Sequence, residues 1–330
     1  MSAPIQSQPT DRRDFLARAA KAGAAAVLAG GVAWWRYDAK GPSATTADQT
    51  VTLPDFSIPA AGRKLSIVTG PDRVKTVNRA LQAIGGMERF IQRGDRVVLK
   101  VNAAFASPAA LGATTHPELV AEVTRLCLQA GAAAVIVTDN PINDPQSCFT
   151  LSGIAKAAES AGARLILPGA HSFEPTTVAG GQLIRDWPLL IEPLRGATKL
   201  IGISPVKDHH RSGASMAMKN WYGLLGGRRN VFHQDIHTII FELAKMVRPT
   251  LAILDGTTSM ITNGPTGGSL DDLKVTNTMI VSTDQVAADA FGATLLGKTA
   301  ADLPFIGKAA AAGLGTADYE SLNPARDHAD

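Results

Sequence analysis

AAAVIVTDNP, residues 132–141, is apolar at nearly every position until Thr138 and then turns polar at Asp139 and Asn140. A run without alternation reads as a strand covered on both faces, the pattern of a parallel sheet. Just before it, His116-Pro117 opens the helical pattern ELVAEVTRLCLQA, with Thr114 or Thr115 available as its cap. Working outward, KLSIVTG, DRVVLKVN, ARLILP, ATKLIGISP, TLAILDG and TNTMIVS are further short apolar strands. Between them lie helical patterns: DRVKTVNRALQAI, broken by Gly85 and Gly86, then Thr150 to Ala161, Ser212 to Leu225 and His233 to Val247. A last helix begins at Asp284, whose carboxylate can cap it. This alternation predicts an α/β fold, a doubly wound and mostly parallel sheet, either as one domain or as two lobes sharing a crevice.

In such a fold ligands bind at the carboxyl ends of the strands. Lys100 and Asn102 close one strand, Asp139 and Asn140 another, Lys207 and Asp208 follow a third, and Asp255 and Gly256 close a fourth. The segment PVKDHHRSGASMAMKNWYGLLGG, from Pro205 to Gly227, concentrates the chemistry. With the helix after it, it holds four of the seven histidines: His209, His210, His233 and His237. His233 and His237 stand four apart, so on one helix they share a face and, with His209, are the candidate ligands of a first-row transition metal. Gln234 stands where a zinc protease needs its general-base Glu, which excludes that class.

Lys100, Lys207 and Lys219 each adjoin an apolar segment, where burial lowers a lysine pKa, and together they can clamp a carboxylate or phosphate. Asn220 follows Lys219 within AMKNWYG, which Gly223 ends, and NGPTGG supplies Gly264 and Gly267 with bare N–H groups that can cradle an anion. His209, Lys207, Lys219 and Asp255 are the candidate catalytic groups; Lys100, Asn102, Asn220, Gly223, Gly264 and Gly267 are the candidate binding positions. There is no GxGxxG and no Walker A loop.

At the other end of the chain, TDRRDFLARAAKAGAAAVLAGGVAWW sets paired Arg12 and Arg13 ahead of an Ala/Gly-rich run, and resembles a twin-arginine export signal. Residues 1–45 are thus expected to be read by the twin-arginine translocase, with cleavage near Ser43 and Ala44 or retention as an anchor, and the protein is expected in the periplasm. Only this segment would touch a membrane. Residues 46–60 read as a linker, 61–320 as the α/β domain and 321–330 as a polar tail. A formal net charge of +3, with part of the excess in the signal, leaves no broad basic face for nucleic acid. The partner is expected to be a small anionic molecule.

The succession VVLKVN, TTHPELV, PVKDHHRSGASMAMKNWYGLLGG, RPTLAILDGTTSM, NGPTGG and STDQVAADAFGATLLG resembles the family known as domain of unknown function 362, over nearly all of the chain after the signal. The resemblance implies an α/β fold and places His209, rather than His210, toward the site. Several members carry a ferredoxin-type iron-sulfur region that implies redox work. Here Cys127 and Cys148 are the only cysteines, so no cysteine-ligated [4Fe-4S] cluster can form. The sequence leaves two functions open: an enzyme of redox or hydrolytic type holding a metal or anionic cofactor, or a periplasmic binding or accessory protein that captures an anion unchanged.

Overall fold

The computed structural model describes residues 12–35 and 51–330, which belong to two units divided after Thr45. In the first unit Arg12–Trp35 form one helix, α1, opened by the arginine pair. Among the described residues no helix is long and apolar enough to cross a membrane. The expected cleavage position and the first part of the expected linker lie outside the described residues.

In the second unit the chain order is β1 (Leu65–Thr69), α2 (Arg73–Ala83), β2 (Arg96–Lys100), α3 (Pro117–Gln129), β3 (Ala134–Thr138), α4 (Pro145–Leu151), α5 (Ile154–Ser160) and β4 (Arg164–Leu165). A small hairpin follows, β5 (Phe173–Thr176) with β6 (Trp187–Leu190), then β7 (Lys199–Lys207), α6 (Ala217–Asn220), α7 (Ile236–Met246), β8 (Leu251–Met260) and β9 (Leu273–Ser282). The chain ends with α8 (Gln285–Leu295), α9 (Pro304–Ala311) and β10 (Ala325–His328). The main sheet has the order β10-β1-β9-β8-β7-β2-β3-β4, and only β9 runs against its neighbours. The expected doubly wound, mostly parallel sheet is therefore present, and it lies in one compact unit rather than two lobes.

Two cores follow from the period of two along each strand. Val97 and Leu99 of β2 pack with Val120 and Val123 of α3 on one face, whereas Val98 packs with Ile239 and Leu243 of α7 on the other. Each such side chain contributes about 1.5–3 kcal/mol by leaving water. Helix starts are set by acidic caps: Asp72 accepts from Lys75 N–H, Asp144 from Ser147 N–H, and Asp284 from Val286 and Ala287 N–H as the sequence predicts. At α3 the expected threonine cap is absent. His116 occupies the cap position, and the Thr115 hydroxyl instead accepts from Asn102 N–H and donates to Ile203 O, both at 2.8 Å, binding the end of β2 to β7.

This tie lies at the point that makes the site. From β2 the chain advances through α3 to β3; from the adjacent β7 it advances through α6 and α7 to β8, in the opposite direction across the sheet. Right-handed crossovers then require α3 and α7 on opposite faces, where they are found. The loops after β2 and β7 part in opposite directions, and a crevice opens between them.

Several segments depart from the sequence reading. The region 212–225 is not one helix: Gly213, at φ +76°, and a bridge between Lys207 and Ser215 hold the chain open until α6, and Trp221–Leu224 wind as a 3-10 turn. The helix expected from His233 starts at Ile236, because the Asp235 carboxylate accepts from Thr238 N–H and residues Arg229–Asp235 form a separate 3-10 segment. Leu53 and Phe56 are buried, and Phe56 N–H donates to Arg248 O, so the described part of the expected linker packs on the domain. The expected polar tail carries β10, which joins the edge of the sheet beside β1.

Candidate functional site

Lys100 is the last residue of β2 and is only 1% exposed. Its ammonium lies 2.7 Å from Asp139 Oδ1, donates to Val101 O at 2.6 Å and to Asn220 Oδ1 at 3.0 Å. Asp139 follows β3, and its carboxylate also accepts from Ala103 N–H at 2.7 Å and Asn140 N–H at 2.9 Å. Asn220 returns a bond to Lys100 O at 3.0 Å, so the end of α6 is clamped to the end of β2. Burial drives the Lys100 pKa down, and the Asp139 charge opposes that shift.

Lys207 ends β7 and is equally buried. It donates to Ala113 O at 2.5 Å and to Asn102 Oδ1 at 3.4 Å, and it sits 5.3 Å from the centre of the Phe105 ring. Loss of solvation, helped by the neighbouring Lys219 charge, lowers its pKa to about 7. Lys219, on α6, lies 5.1 Å from the Tyr222 ring centre, and among the described residues its amine has neither a carboxylate nor a hydrogen-bond partner. Burial first, then the charges of Arg229 and Lys100, bring it to about 7 as well.

The histidines form a stack. His209 and His210 rings are 4.9 Å apart and 9° from parallel; His209 and His233 are 5.8 Å apart and 18° from parallel. His209 Nδ1 accepts from the N–H groups of Arg211 and Ser212, both at 3.2 Å, which assigns its ring proton to Nε2. Burial and the adjacent Lys219 charge lower its pKa to about 2, so the ring is neutral. Tyr222 donates its single proton to Arg229 O, so His233 Nδ1, 3.1 Å from the Tyr222 oxygen, carries a proton and donates to it.

All these groups line one cleft of about 300 Å³ at the switch point: Lys100, Asn102, Lys207 and His209 from the strand ends, and Lys219, Asn220, Gly223 and His233 from the segment after β7. Pro265 and Thr266 of the glycine loop close it. Gly223 serves by close approach. A Cβ there would lie 1.9 Å from Asp139 Oδ1 and 2.7 Å from Lys100 Nζ, so only glycine lets the backbone reach the ion pair. Gly264 similarly abuts the Asp208 backbone, and its carbonyl accepts from His210 N–H at 3.2 Å; Gly267 turns the loop behind the cleft.

Gly264 and Gly267 do not themselves line the cleft, and two further predicted members are elsewhere. Asp255 does not end its strand, since β8 continues to Met260, and its carboxylate is paired at 2.8 Å with Arg73 of α2. His237 lies in the first turn of α7 and stacks on Phe305 at 6.0 Å, separated from His233 by the helix boundary at Asp235. The remaining imidazoles do not suit a metal. Ligating lone pairs lie in the ring planes, and near-parallel rings cannot converge on one ion about 2.0–2.1 Å from each nitrogen. His209 moreover has its proton on the only nitrogen left free. Among the described residues no group of three His, Cys, Asp or Glu side chains is placed to hold a metal. Cys127 and Cys148 are buried free thiols, pushed up to about 12 and about 11 by burial.

Asp139, Arg229 and Tyr222 belong to the site without being among the candidate residues. Asp139 was visible as a strand end. Arg229 donates to the carbonyls of Tyr222, Leu225, Asn140 and Pro141, clamping two cleft loops, and nothing in its polar surroundings marks it.

Over 222 residues the chain is 27% identical to a thylakoid-associated protein of Synechocystis sp., a match covering 63% of this chain and 65% of that protein, slightly under two thirds of its length. Among solved structures it is similar to the lactate racemase apoprotein of Thermoanaerobacterium thermosaccharolyticum, at 14% identity and TM-score 0.40 over 73% of this chain and 58% of that one. A Thermotoga maritima protein matches at 13% identity and TM-score 0.34 over 57% and 51%. The segment that builds both the sheet centre and the cleft, residues 97–294, matches the family described as domain of unknown function (DUF362), and the chain belongs to that family.

Proposed function

We propose that the protein binds a small anionic molecule, a carboxylate or a phosphate, in the cleft between the ends of β2 and β7. One observation carries this reading: among the described residues Lys100, Lys207, Lys219 and Arg229 line the cleft against the single carboxylate of Asp139, and Lys219 has no anionic partner. A buried positive charge without a counter-ion is costly, so an incoming anion is favoured by every cation it neutralises. The neutral His209 ring adds an Nε2–H donor with no acceptor among the described residues. Arg12 and Arg13 at the start of α1 support export through the twin-arginine route, with the cleft facing the periplasm.

Thermal denaturation of the full chain against pyruvate, lactate, citrate, phosphate and pyrophosphate tests the reading. An anion at 100 times its dissociation constant stabilises by about 2.7 kcal/mol. The shift should be lost in Lys207→Met and Lys219→Met. No shift with any anion, or a shift unchanged in both variants, removes the proposal. For export, replacing both Arg12 and Arg13 by Lys should leave the protein in the cytoplasm.

A further inference from the structure

The three cleft lysines are not equivalent. Lys100 is held by a carboxylate, a carbonyl and an amide oxygen, and Lys207 by a carbonyl and an amide oxygen. Lys219 alone has no side-chain hydrogen bond among the described residues; its amine lines the cleft from a short helix, over the Tyr222 ring. The helix itself is fixed from behind. Asp289, fully buried in α8, accepts from Ala217 N–H at 2.7 Å and Met218 N–H at 3.1 Å, and Asn220 is tied to Lys100 O. A firmly mounted backbone thus presents one unengaged amine to a space lined by cations and hydrogen-bond donors. A group that served only to attract charge would need no such mount, and could join the others in hydrogen bonding.

We infer that Lys219 is a nucleophile that forms an imine with a small molecule carrying both an anionic group and an aldehyde or ketone carbonyl, the chemistry of a 2-oxo acid. This rests on the anion-binding reading and names the substrate class within it. The Lys219 nitrogen attacks the carbonyl carbon while the C=O π pair moves to oxygen. The nitrogen gives up both its protons to the carbonyl oxygen, which leaves as water, and a C=N bond replaces C=O, with no change in oxidation state. The anionic group meanwhile meets the Lys207 ammonium and the His209 Nε2–H. Burial first, then the cations Arg229 of the 3-10 segment and Lys100 of β2, favours the free amine; Lys207 lies at the end of β7, the cleft carboxylate of Asp139 is paired with Lys100, and His209, His210, His233 and Tyr222 bring no negative charge. A lysine desolvated beside other cations is the known means of freeing an amine near neutral pH.

The full-length protein is incubated with pyruvate or glyoxylate at limiting concentration and sodium cyanoborohydride, then digested and mapped by mass spectrometry. The expected result is one reductively alkylated lysine per chain, Lys219, with labelling that rises through about pH 7. Lys219→Arg should abolish the adduct, since a guanidinium forms no imine under these conditions, whereas the unaltered chain shows both the adduct and stabilisation by pyruvate or lactate. Stabilisation by these anions with no adduct at Lys219 overturns the imine and leaves anion binding standing. Labelling spread over surface lysines, or unchanged in Lys219→Arg, also overturns it. Absence of any anion-dependent stabilisation together with absence of an adduct removes both readings.

Discussion

The Lys100 ammonium and the Asp139 carboxylate meet at 2.7 Å across the ends of adjacent strands, both excluded from solvent. The pair does more than cancel charge, because Asp139 also receives two backbone N–H groups and Lys100 holds the Asn220 amide oxygen. Removing one partner strands the other in the interior, which costs about 3–5 kcal/mol. Asp139→Ala should therefore lower stability by that amount in urea denaturation. The double variant Lys100→Met with Asp139→Leu should lose distinctly less, since no unpaired charge remains. Equal losses would mean that the backbone bonds, not the ion pair, hold the strand ends.

Gly223→Ala aims at the same pair from the other side. Its methyl group would fall 1.9 Å from Asp139 Oδ1, a contact that must push apart either the ion pair or the 223–225 backbone, where Asn140 N–H donates to Gly223 O at 3.0 Å. Forcing extra volume into a packed site costs typically about 1–3 kcal/mol. We expect a loss in that range together with at least tenfold weaker anion binding by calorimetry. Unaltered binding would place the bound anion away from the Lys100 side of the cleft.

The pH dependence of stability has a defined sign at Lys207. Its pKa is about 7 in the folded protein against 10.5 unfolded, so between these values the unfolded chain binds more protons and stability rises with pH. The limiting slope is about 1.4 kcal/mol per pH unit for one group. Below about pH 7 both states are protonated and the slope from this group vanishes. Lys207→Met should remove its own share of the rise between pH 7 and 10, leaving that of Lys219, and a saturating anion should lessen the rise by holding the ammonium groups charged. Denaturation midpoints taken across that range check both statements.

How much of this was legible depended on which physical signal each residue leaves. The unalternating runs of β2, β3 and β7 announced strands buried on two faces, and Lys100 and Lys207 at their ends fell into the cleft because strand order makes the switch point there. Asp255 misled because polar residues after LAIL imitate a strand end, whereas β8 runs on through Thr257 to Met260 beside β9. His237 misled because a spacing of four implies a shared face only within one helix, and Asp235 interrupts it; an acidic residue just ahead of an apolar helix was the available clue. Strand β10 left no signal, since an edge strand of Ala, Arg, Asp and His pairs through its backbone. Arg229 acts on four carbonyls, which are independent of side-chain identity and so invisible in sequence.

Glu242 offers a test of how the hairpin supports the cleft. From α7 its carboxylate accepts from Gln182, Leu183 and Ile184 N–H at 2.5–3.1 Å, fixing the loop between β5 and β6. The hairpin in turn holds the segment after Gly223: Pro188 O accepts from Gly226 N–H at 2.8 Å, and Trp187 Nε1 donates to Gly226 O at 3.1 Å. Glu242→Ala leaves three N–H groups without their acceptor, and each buried orphan costs about 1–3 kcal/mol. The loop can recover part of this by opening to water, so the net loss should sit near the cost of a single group. Amide hydrogen exchange should quicken at Gln182, Leu183, Ile184 and Gly226 while the amides of β7 and β2 keep their protection, because those strands are bonded within the sheet. Exchange quickening equally in β7 would mean that the hairpin and the sheet open as one unit, and that the cleft borrows its rigidity from the hairpin rather than from the strand ends.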